Sequence, residues 1–155
     1  MRLIDILTEQ RILVDGNGAS VPDKEASLAQ MGRLISSAGG IDAASVYRLL
    51  MEREQLQSTG IGDGVAIPHA STDKATVQVA GLIICPSGLE FASIDGQPVH
   101  ILFGVLCSRR ATGEHLKTLA RISRLLRDAS NRSRLIASNS AAEAYALIQT
   151  QDAAF

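Results

Sequence analysis

One stretch of this chain restricts the backbone more than any other: Ser58-Thr59-Gly60-Ile61-Gly62-Asp63-Gly64-Val65-Ala66-Ile67-Pro68-His69. Its glycines permit positive φ and let a bulky anion approach the backbone amides. Pro68 fixes its own φ and biases Ile67 towards extended geometry, so the chain enters His69 in a restricted direction. The pattern is typical of a histidine held rigidly beside backbone N–H donors, as a phosphate carrier requires.

Composition indicates a globular protein with a substantial core. The chain has 155 residues, of which 46% are hydrophobic and 20% are charged, and its net charge is −1. The balanced charge argues against binding to nucleic acid through bulk charge. An aromatic content of 3% without Trp argues against stacking platforms for bases or sugars.

The sequence also lacks the signals of membrane insertion, secretion and metal binding. No apolar run approaches the roughly 20 residues of a membrane span, and the N-terminus lacks a signal-peptide pattern. We therefore expect a cytoplasmic protein. The sequence contains no CxxC and no HExxH pattern, so we expect no metal site. Cys85 and Cys107 lie in apolar segments and are expected to be reduced, buried thiols.

Turn signals and apolar spacing divide the chain into successive elements. Five helices are predicted. The first covers about residues 22–38, and the second runs from a cap at Asp42 to the glycine-rich stretch. The third begins at residue 112, the fourth covers 128–137, and the last begins with a capping box at Ser140. Strands are predicted at 11–14, 77–85 and 99–107, with a turn at 86–88. This order predicts an α/β fold in which a mixed sheet is covered by helices on both faces.

Two of these helices carry specific predictions about burial. On the helix after Asp42, the buried stripe is expected to consist of Val46, Leu49 and Leu50, whereas Arg53 and Glu54 lie among the more polar positions. On the helix that begins near residue 112, the core face is expected to consist of Leu116, Leu119, Ile122, Leu125 and Leu126.

His69 is the leading candidate for chemistry. A neutral imidazole titrates near physiological pH and is a good nucleophile towards a phosphoryl group. Phosphoryl transfer depends on positioning and charge stabilisation, which backbone N–H groups of the glycine-rich stretch could supply. The candidate phosphate-binding loop comprises Ser58, Thr59, Gly60, Gly62 and Gly64, although the two hydroxyls fit local turn bonding at least as well. Asp63 is expected to form a turn.

Five basic residues elsewhere are weaker candidates on local sequence alone. His115 could meet an anion at a helix N-terminus, but it fits an ordinary exposed histidine equally well. Arg53 could bind two phosphoryl oxygens through its planar guanidinium, but a surface arginine near a helix C-terminus is more common. His100 is interpreted as a core or strand-end residue. Arg109-Arg110 could face a phosphate or a partner, although such a pair is more often a solvated loop.

Together these residues resemble the enzyme IIA domain of the bacterial phosphoenolpyruvate-dependent phosphotransferase system, of the mannitol, fructose and nitrogen-regulatory type. The resemblance rests on Arg53-Glu54 with residues 58–69, on residues 91–99, and on Glu114-His115-Leu116 followed by residues 119–123. Because it covers nearly the whole chain in order, residues 1–155 are expected to form a single IIA type-2 domain. The implied fold is a three-layer α/β/α sandwich around a mixed β-sheet.

The resemblance also implies roles for the candidate residues. His69 would accept a phosphoryl group on Nε2 from an HPr-type phosphocarrier protein, His115 would be the second active-site histidine, and Arg53 would lie beside the site. No metal or cofactor is implied, because the donor is already a phosphohistidine. The chain departs from the family at Ala70, at His100 and at residues 107–110, and these departures bear on partner preference more than on phosphorylation.

The sequence is compatible with three functions. The opening residues 3–7 and the lack of a IIB-like extension favour a free-standing nitrogen-regulatory protein, whose phosphorylation state controls binding to regulated protein targets. The chain could instead be the IIA component of a fructose- or mannitol-type sugar transporter, which passes phosphate to a IIB domain. It could also be a binding module that keeps the fold without accepting phosphate.

Overall fold

The computed structural model describes residues 1–153, so the last two residues of the predicted domain lie outside the described part. Two short 3-10 turns, Leu3–Asp5 and Glu9–Arg11, precede the first strand. The strands are β1 Ile12–Val14, β2 Gly60–Gly62, β3 Val65–Ala66, β4 His69–Thr72, β5 Val79–Leu89 and β6 Val99–Ser108. The helices are α1 Lys24–Ser36, α2 Ala43–Leu56, α3 Thr112–Arg127, α4 Ala129–Ile136 and α5 Ala141–Asp152.

The sheet is built around β6. On one side β6 pairs antiparallel with β5, and β5 pairs parallel with β1. On its other side β6 carries two short strands end to end, since β3 and β4 both pair with it in parallel and β2 adds antiparallel to β3. The prediction of a mixed sheet is therefore confirmed, and its most apolar strand, β6, is central.

Helices cover both faces of the sheet, which confirms the three-layer α/β/α arrangement. One buried cluster joins α1 and α2 to one face, with residues such as Leu28, Val46 and Leu102. The other cluster joins α3, α4 and α5 to the opposite face, with residues such as Ile122 and Phe103. Among the residues that the structure describes, no helix is long and apolar enough to cross a membrane.

Short polar side chains begin the helices where the sequence predicts them. Asp23, Asp42 and Ser140 each accept a hydrogen bond from the backbone N–H three residues on. At Ser140 the capping box is only half formed, because the Glu143 carboxylate accepts from the Asn139 N–H instead of from the cap residue. The local signals therefore determine where these helices start.

A pair of glycines sets how closely α1 approaches the sheet. Gly81 of β5 and Gly104 of β6 are directly opposed across the strands, and the fully buried Met31 of α1 packs over both. A Cβ at Gly104 would lie 2.5 Å from Met31 Sδ and 2.6 Å from Met31 Cγ, and a Cβ at Gly81 would lie 2.9 Å from Sδ. The absence of a Cβ at both glycines thus leaves the slot that the Met31 side chain fills.

Three expectations about the fold are wrong in part. Residues 86–88 are not a turn, because β5 continues through them with a register irregularity to Leu89, where Gly88 has a φ of 77°. The glycine-rich stretch is not an open loop, because it forms β2, β3 and the start of β4. Leu116 is not in the core, because 61% of it is exposed at the first turns of α3, where no element covers it.

Both cysteines are free and buried, as the sequence predicts. Cys85 lies on β5 and Cys107 on β6. Burial raises the pKa of Cys85 to about 12 and that of Cys107 to about 11. Both groups are therefore protonated thiols at neutral pH, which fits a packing role.

The Gly104→Ala variant should lose about 1–3 kcal/mol of unfolding free energy, because the added methyl displaces a close-packed side chain. Gly113→Ala is the matched control, since a Cβ there meets nothing within 4 Å and the residue lies in α3. That control should keep or gain stability, by up to about 1 kcal/mol, from better helix propensity. Urea unfolding of both variants measures this, and equal stabilities would contradict the slot.

Candidate functional site

The candidate site is an open hollow of about 600 Å³ at the edge of the sheet. Strand β4 lies at its base, the C-terminal half of α2 forms one wall, and the start of α3 with the end of β6 forms the other. Its lining consists of Leu49, Glu52, Arg53, Leu56, His69, Ala70, Ser71, Arg109, His115, Leu116 and Leu119. The structure therefore brings His69, His115 and Arg53 together from three separate elements.

His69 is held by both its backbone and its ring. It is the first residue of β4, opposite Val105 of β6, and the Pro68 carbonyl before it accepts a hydrogen bond from Val105 N–H at 2.9 Å. The ring Nδ1 lies 2.6 Å from the Ile67 carbonyl oxygen. A carbonyl can only accept, so Nδ1 carries the proton in this contact. The lone pair of the neutral ring is therefore on Nε2.

The surroundings keep the His69 ring neutral. Burial lowers its pKa below the ordinary value, and the charge of Arg53 lowers it further. The hydrogen bond to Ile67 and the charge of Glu54 act in the opposite direction but do not overcome burial. At neutral pH the ring is thus predominantly in the form that has a free lone pair.

His115 lies in the first turn of α3, facing His69. The two ring centroids are 5.6 Å apart and the ring planes are inclined at 51°. Burial lowers the pKa of His115, and the proximity of His69 lowers it further. Its Nδ1 is buried and has no hydrogen-bond partner among the described residues. An unpaired acceptor is less costly than an unpaired N–H donor would be there, which favours the tautomer with the proton on Nε2.

Arg53 reaches the hollow from the last turn of α2. Its Nη1 donates to the Gln57 carbonyl at 2.9 Å, a contact that holds the side chain near the helix C-terminus. A guanidinium has five N–H donors, so this bond leaves capacity for an anion. A positive charge near two neutral imidazoles makes the hollow suitable for a small anion that becomes attached to one of them.

The residues of the candidate phosphate-binding loop are placed differently from the three just described. Ser58, Thr59, Gly60, Gly62 and Gly64 form the start and body of the β2–β3 hairpin and do not line the hollow. The Ser58 hydroxyl accepts from Gly60 N–H at 3.1 Å, which is local turn bonding. The turn has positive φ at Gly62, Asp63 and Gly64, so Asp63 is a turn former as expected. A direct role for these residues in binding phosphate stays a prediction.

Glu54 is buried, so the expectation that it lies among the polar positions of α2 is wrong. It is buried, because it follows Val46 and Leu50 at four-residue intervals and shares their face of α2. Its carboxylate accepts from Thr59 N–H at 3.0 Å and from Thr59 Oγ1 at 2.5 Å, and it pairs with Lys24 Nζ at 2.8 Å. One carboxylate thus joins α1, α2 and the start of the hairpin.

His100 lies outside the hollow, at the beginning of β6. Its Nδ1 is 3.1 Å from the Cys85 carbonyl and 3.2 Å from the Pro86 carbonyl, so the ring packs against the irregular part of β5. This is the strand-end position that the sequence suggests. In the described part of the chain, no group of three or more His, Cys, Asp or Glu side chains could hold a metal ion.

The sequence is similar to known proteins of one family. Residues 5–151 match the family described as "Phosphoenolpyruvate-dependent sugar phosphotransferase system, EIIA 2". The nitrogen regulatory proteins of Bradyrhizobium diazoefficiens and Pseudomonas aeruginosa are each 34% identical over 149 residues, covering 96% of this chain and 95% of theirs.

Solved structures give the same result for the fold. The nitrogen regulatory protein IIA-Ntr of Neisseria meningitidis superimposes with a TM-score of 0.86 at 33% identity, covering 94% of this chain and 99% of that one. The IIA mannitol structure from Escherichia coli, at 22% identity and a TM-score of 0.76, covers 92% of this chain and 98% of that one and supports the fold alone.

The fold and the family match over residues 5–151 identify a IIA domain of the phosphotransferase system. More particularly, the chain belongs to the EIIA 2 family, and within it resembles the nitrogen regulatory IIA proteins.

The Glu54→Gln variant should lose about 2 kcal/mol of stability at pH 7, because it leaves Lys24 without its buried counter-charge. Burial alone would raise the pKa of Glu54, but Lys24 and Thr59 together hold it below the ordinary value. The difference in stability between wild type and variant is therefore fully present above the unfolded-state pKa of about 4.3. It shrinks as the pH falls through the lower pKa of the folded state. Thermal melts from pH 7 to pH 3 measure this.

Glu52→Gln is the control for that experiment, because Glu52 lies on the same helix and is exposed. It should change stability by less than about 0.5 kcal/mol at every pH. Equal losses for the two variants at pH 7 would show that the Glu54 carboxylate does not hold the hairpin.

The neutral His69 ring should have one defined tautomer. Imidazole ¹⁵N NMR at pH 7 should show a protonated Nδ1 and an unprotonated Nε2, because Nδ1 donates to the Ile67 carbonyl. The titration midpoint should lie below the ordinary histidine value, since burial disfavours the charged ring. The spectrum of His69→Gln assigns the signals, and a protonated Nε2 in the neutral ring would contradict the prediction.

Proposed function

We propose that this protein is a phosphohistidine carrier that accepts a phosphoryl group on His69 from an HPr-type phosphocarrier protein and acts as a nitrogen or metabolic regulatory IIA protein. The observation that carries the proposal is the contact between His69 Nδ1 and the Ile67 carbonyl. It fixes the ring and leaves the Nε2 lone pair as the nucleophile, beside a second histidine and a guanidinium.

The transfer needs no proton movement at His69. As the bond from Nε2 to phosphorus forms, the N–P bond of the donor phosphohistidine breaks, and the donor imidazole leaves with that electron pair. The Nδ1 proton stays in place, and the positive charge that develops on the His69 ring is stabilised by the hydrogen bond to the Ile67 carbonyl. The protein thus contributes positioning and electrostatics, which is what phosphoryl transfer mainly requires.

His115 and Arg53 would stabilise the transferred group. With its proton on Nε2, His115 donates a hydrogen bond to a phosphoryl oxygen, and the N-terminus of α3 favours negative charge in the same region. The Arg53 guanidinium can bind two phosphoryl oxygens at once. Both groups are in place before the phosphoryl group arrives, so little reorganisation is needed.

The rim of the hollow offers a docking surface for the donor. Leu56 is 82% exposed and Leu116 is 61% exposed, and the two lie on opposite walls of the hollow. Large exposed apolar side chains around a concave site are typical of a protein–protein contact. The exposure of Leu116, which helical periodicity alone assigns to the core, has a function in this interpretation.

A regulatory role follows from the similarity to nitrogen regulatory proteins and from the charge of the product. The relatives at 34% identity carry that name and match the chain over nearly their full length. A phosphoryl group adds nearly two negative charges to one patch of the surface. That change is large enough to switch binding to a regulated protein target.

A second candidate function is that of a sugar-transporter IIA component. The chain is 30% identical to the fructose-specific EIIA component of Haloferax volcanii over 118 residues, and E. coli mannitol IIA is known in a complex with phosphorylated mannitol IIB. In this case His69 would pass its phosphoryl group to a IIB domain. Incubating the phosphorylated protein with a fructose-type IIB domain distinguishes the two, since rapid transfer to IIB supports the transporter role.

The proposal predicts one acid-labile phosphate on the wild-type protein after incubation with phosphoenolpyruvate, enzyme I and the HPr-type carrier, read by intact-protein mass. His69→Ala should carry none, and His115→Ala should be phosphorylated at least about 10-fold more slowly, because one positioned donor is lost. His100→Gln is the control, since His100 lies outside the hollow, and should behave as wild type. An unphosphorylated wild-type protein would instead support a binding module that keeps the fold.

A further inference from the structure

A second guanidinium lines the hollow on the wall opposite Arg53. Arg109 follows the end of β6, and its side chain forms an ion pair with Asp73, which follows the end of β4, at 3.2 Å between Nη1 and Oδ2. The backbone of Arg109 is fixed, because its N–H donates to the Thr72 carbonyl at 3.1 Å. Only the side chain is free to pivot.

Arg109 lines the same hollow as His69. His69 pairs with Val105 of β6, and Arg109 directly follows the last residue of that strand, Ser108. Arg109 is four residues beyond Val105, a span of at most about 13 Å at roughly 3.3 Å per residue. The long side chain of Arg109 and the phosphorylated ring of His69 extend towards each other, so together they can span this distance.

The ion pair between Arg109 and Asp73 can be broken at little cost in free energy. Both side chains are exposed, Arg109 by 61% and Asp73 by 63%. Exposed ion pairs of this kind contribute little stability, because water screens the attraction and both side chains lose freedom. A phosphoryl dianion carries about twice the charge of one carboxylate, so it competes successfully for the guanidinium.

We propose that Arg109 is a second phosphoryl-binding guanidinium, which Asp73 holds at the rim of the hollow and which turns to the phosphoryl group once His69 is phosphorylated. This inference rests on the proposed function of His69. The movement of Arg109 also makes the rim of the hollow sensitive to phosphorylation, because Asp73 loses its ion-pair partner when Arg109 turns inwards. The phosphorylated protein then presents an unpaired carboxylate beside the hollow, where a partner protein would contact it.

The test is the equilibrium distribution of the phosphoryl group between the HPr-type carrier and four forms of the protein. Arg109→Ala should shift the equilibrium towards the carrier by about three- to fivefold, the effect of one exposed charged contact. Asp73→Ala should shift it by about twofold in the opposite direction, because the competing carboxylate is removed. Arg110→Ala is the matched control, since Arg110 is adjacent and exposed but does not line the hollow, and should leave the equilibrium unchanged.

A second readout excludes a merely structural effect. In ³¹P NMR of the phosphorylated protein, Arg109→Ala should shift the phosphohistidine resonance and raise the pKa of its phosphoryl group, because a nearby positive charge is lost. Both effects of Arg109 should shrink as salt is raised from about 0.05 M to 0.5 M. Melting temperatures of all four forms should agree within a few degrees.

The outcomes separate this inference from the function on which it rests. A wild-type protein that takes no phosphate overturns both. A wild-type protein that is phosphorylated, with Arg109→Ala matching it in the equilibrium and in the ³¹P spectrum, overturns the role of Arg109 alone. A shift of equal size in Arg110→Ala would assign the effect to the net charge of the loop and would likewise overturn it.

Discussion

The site depends on a strand that is interrupted without a change of register. Strands β3 and β4 pair with the same edge of β6, and from Val65 to His69 the chain advances four residues while their partners advance four, from Ile101 to Val105. Pro68 lies in the gap, where it has no N–H to donate. The Ile67 carbonyl lies in this gap and accepts a hydrogen bond from the His69 ring. The sheet itself thereby positions the His69 ring.

The opposite end of the same segment is fixed by Glu54. Because this carboxylate lies next to Arg53 on α2 and holds Thr59 at the start of the hairpin, the guanidinium and the imidazole are joined through a short, buried connection. Movement of α2 relative to the hairpin would break hydrogen bonds to a buried charge, which is costly. The distance between Arg53 and His69 is therefore constrained from both sides, by β6 and by Glu54.

Sequence reasoning succeeded where the signal is local and failed where it depends on a distant neighbour. The caps at Asp42 and Ser140 and the apolar run of β6 are readable because each acts within a few residues. The short strands around the glycines carry no local signal, since their partner is β6, about 36 residues further on. Periodicity assigns Leu116 to the core because it gives the face of a helix but not how far the adjoining layer extends. The spacing of Glu54 with Leu50 indicates burial, whereas its charge suggests exposure.

The proposed phosphoryl carrier must bind the phosphoryl group without holding it too tightly for onward transfer, and the distribution of charge around the hollow fits that requirement. Burial lowers the pKa of both His69 and His115, so neither imidazole adds a fixed positive charge to the hollow at neutral pH. Arg53 supplies one cation, and a second guanidinium, that of Arg109, is held by an exposed ion pair with Asp73 that contributes little stability. If every contact with phosphate were strong, the bound state would lie too low in energy for onward transfer. In the proposed function, reversible contacts of modest strength would keep the free energy of phosphorylated His69 close to that of its donor and its acceptor.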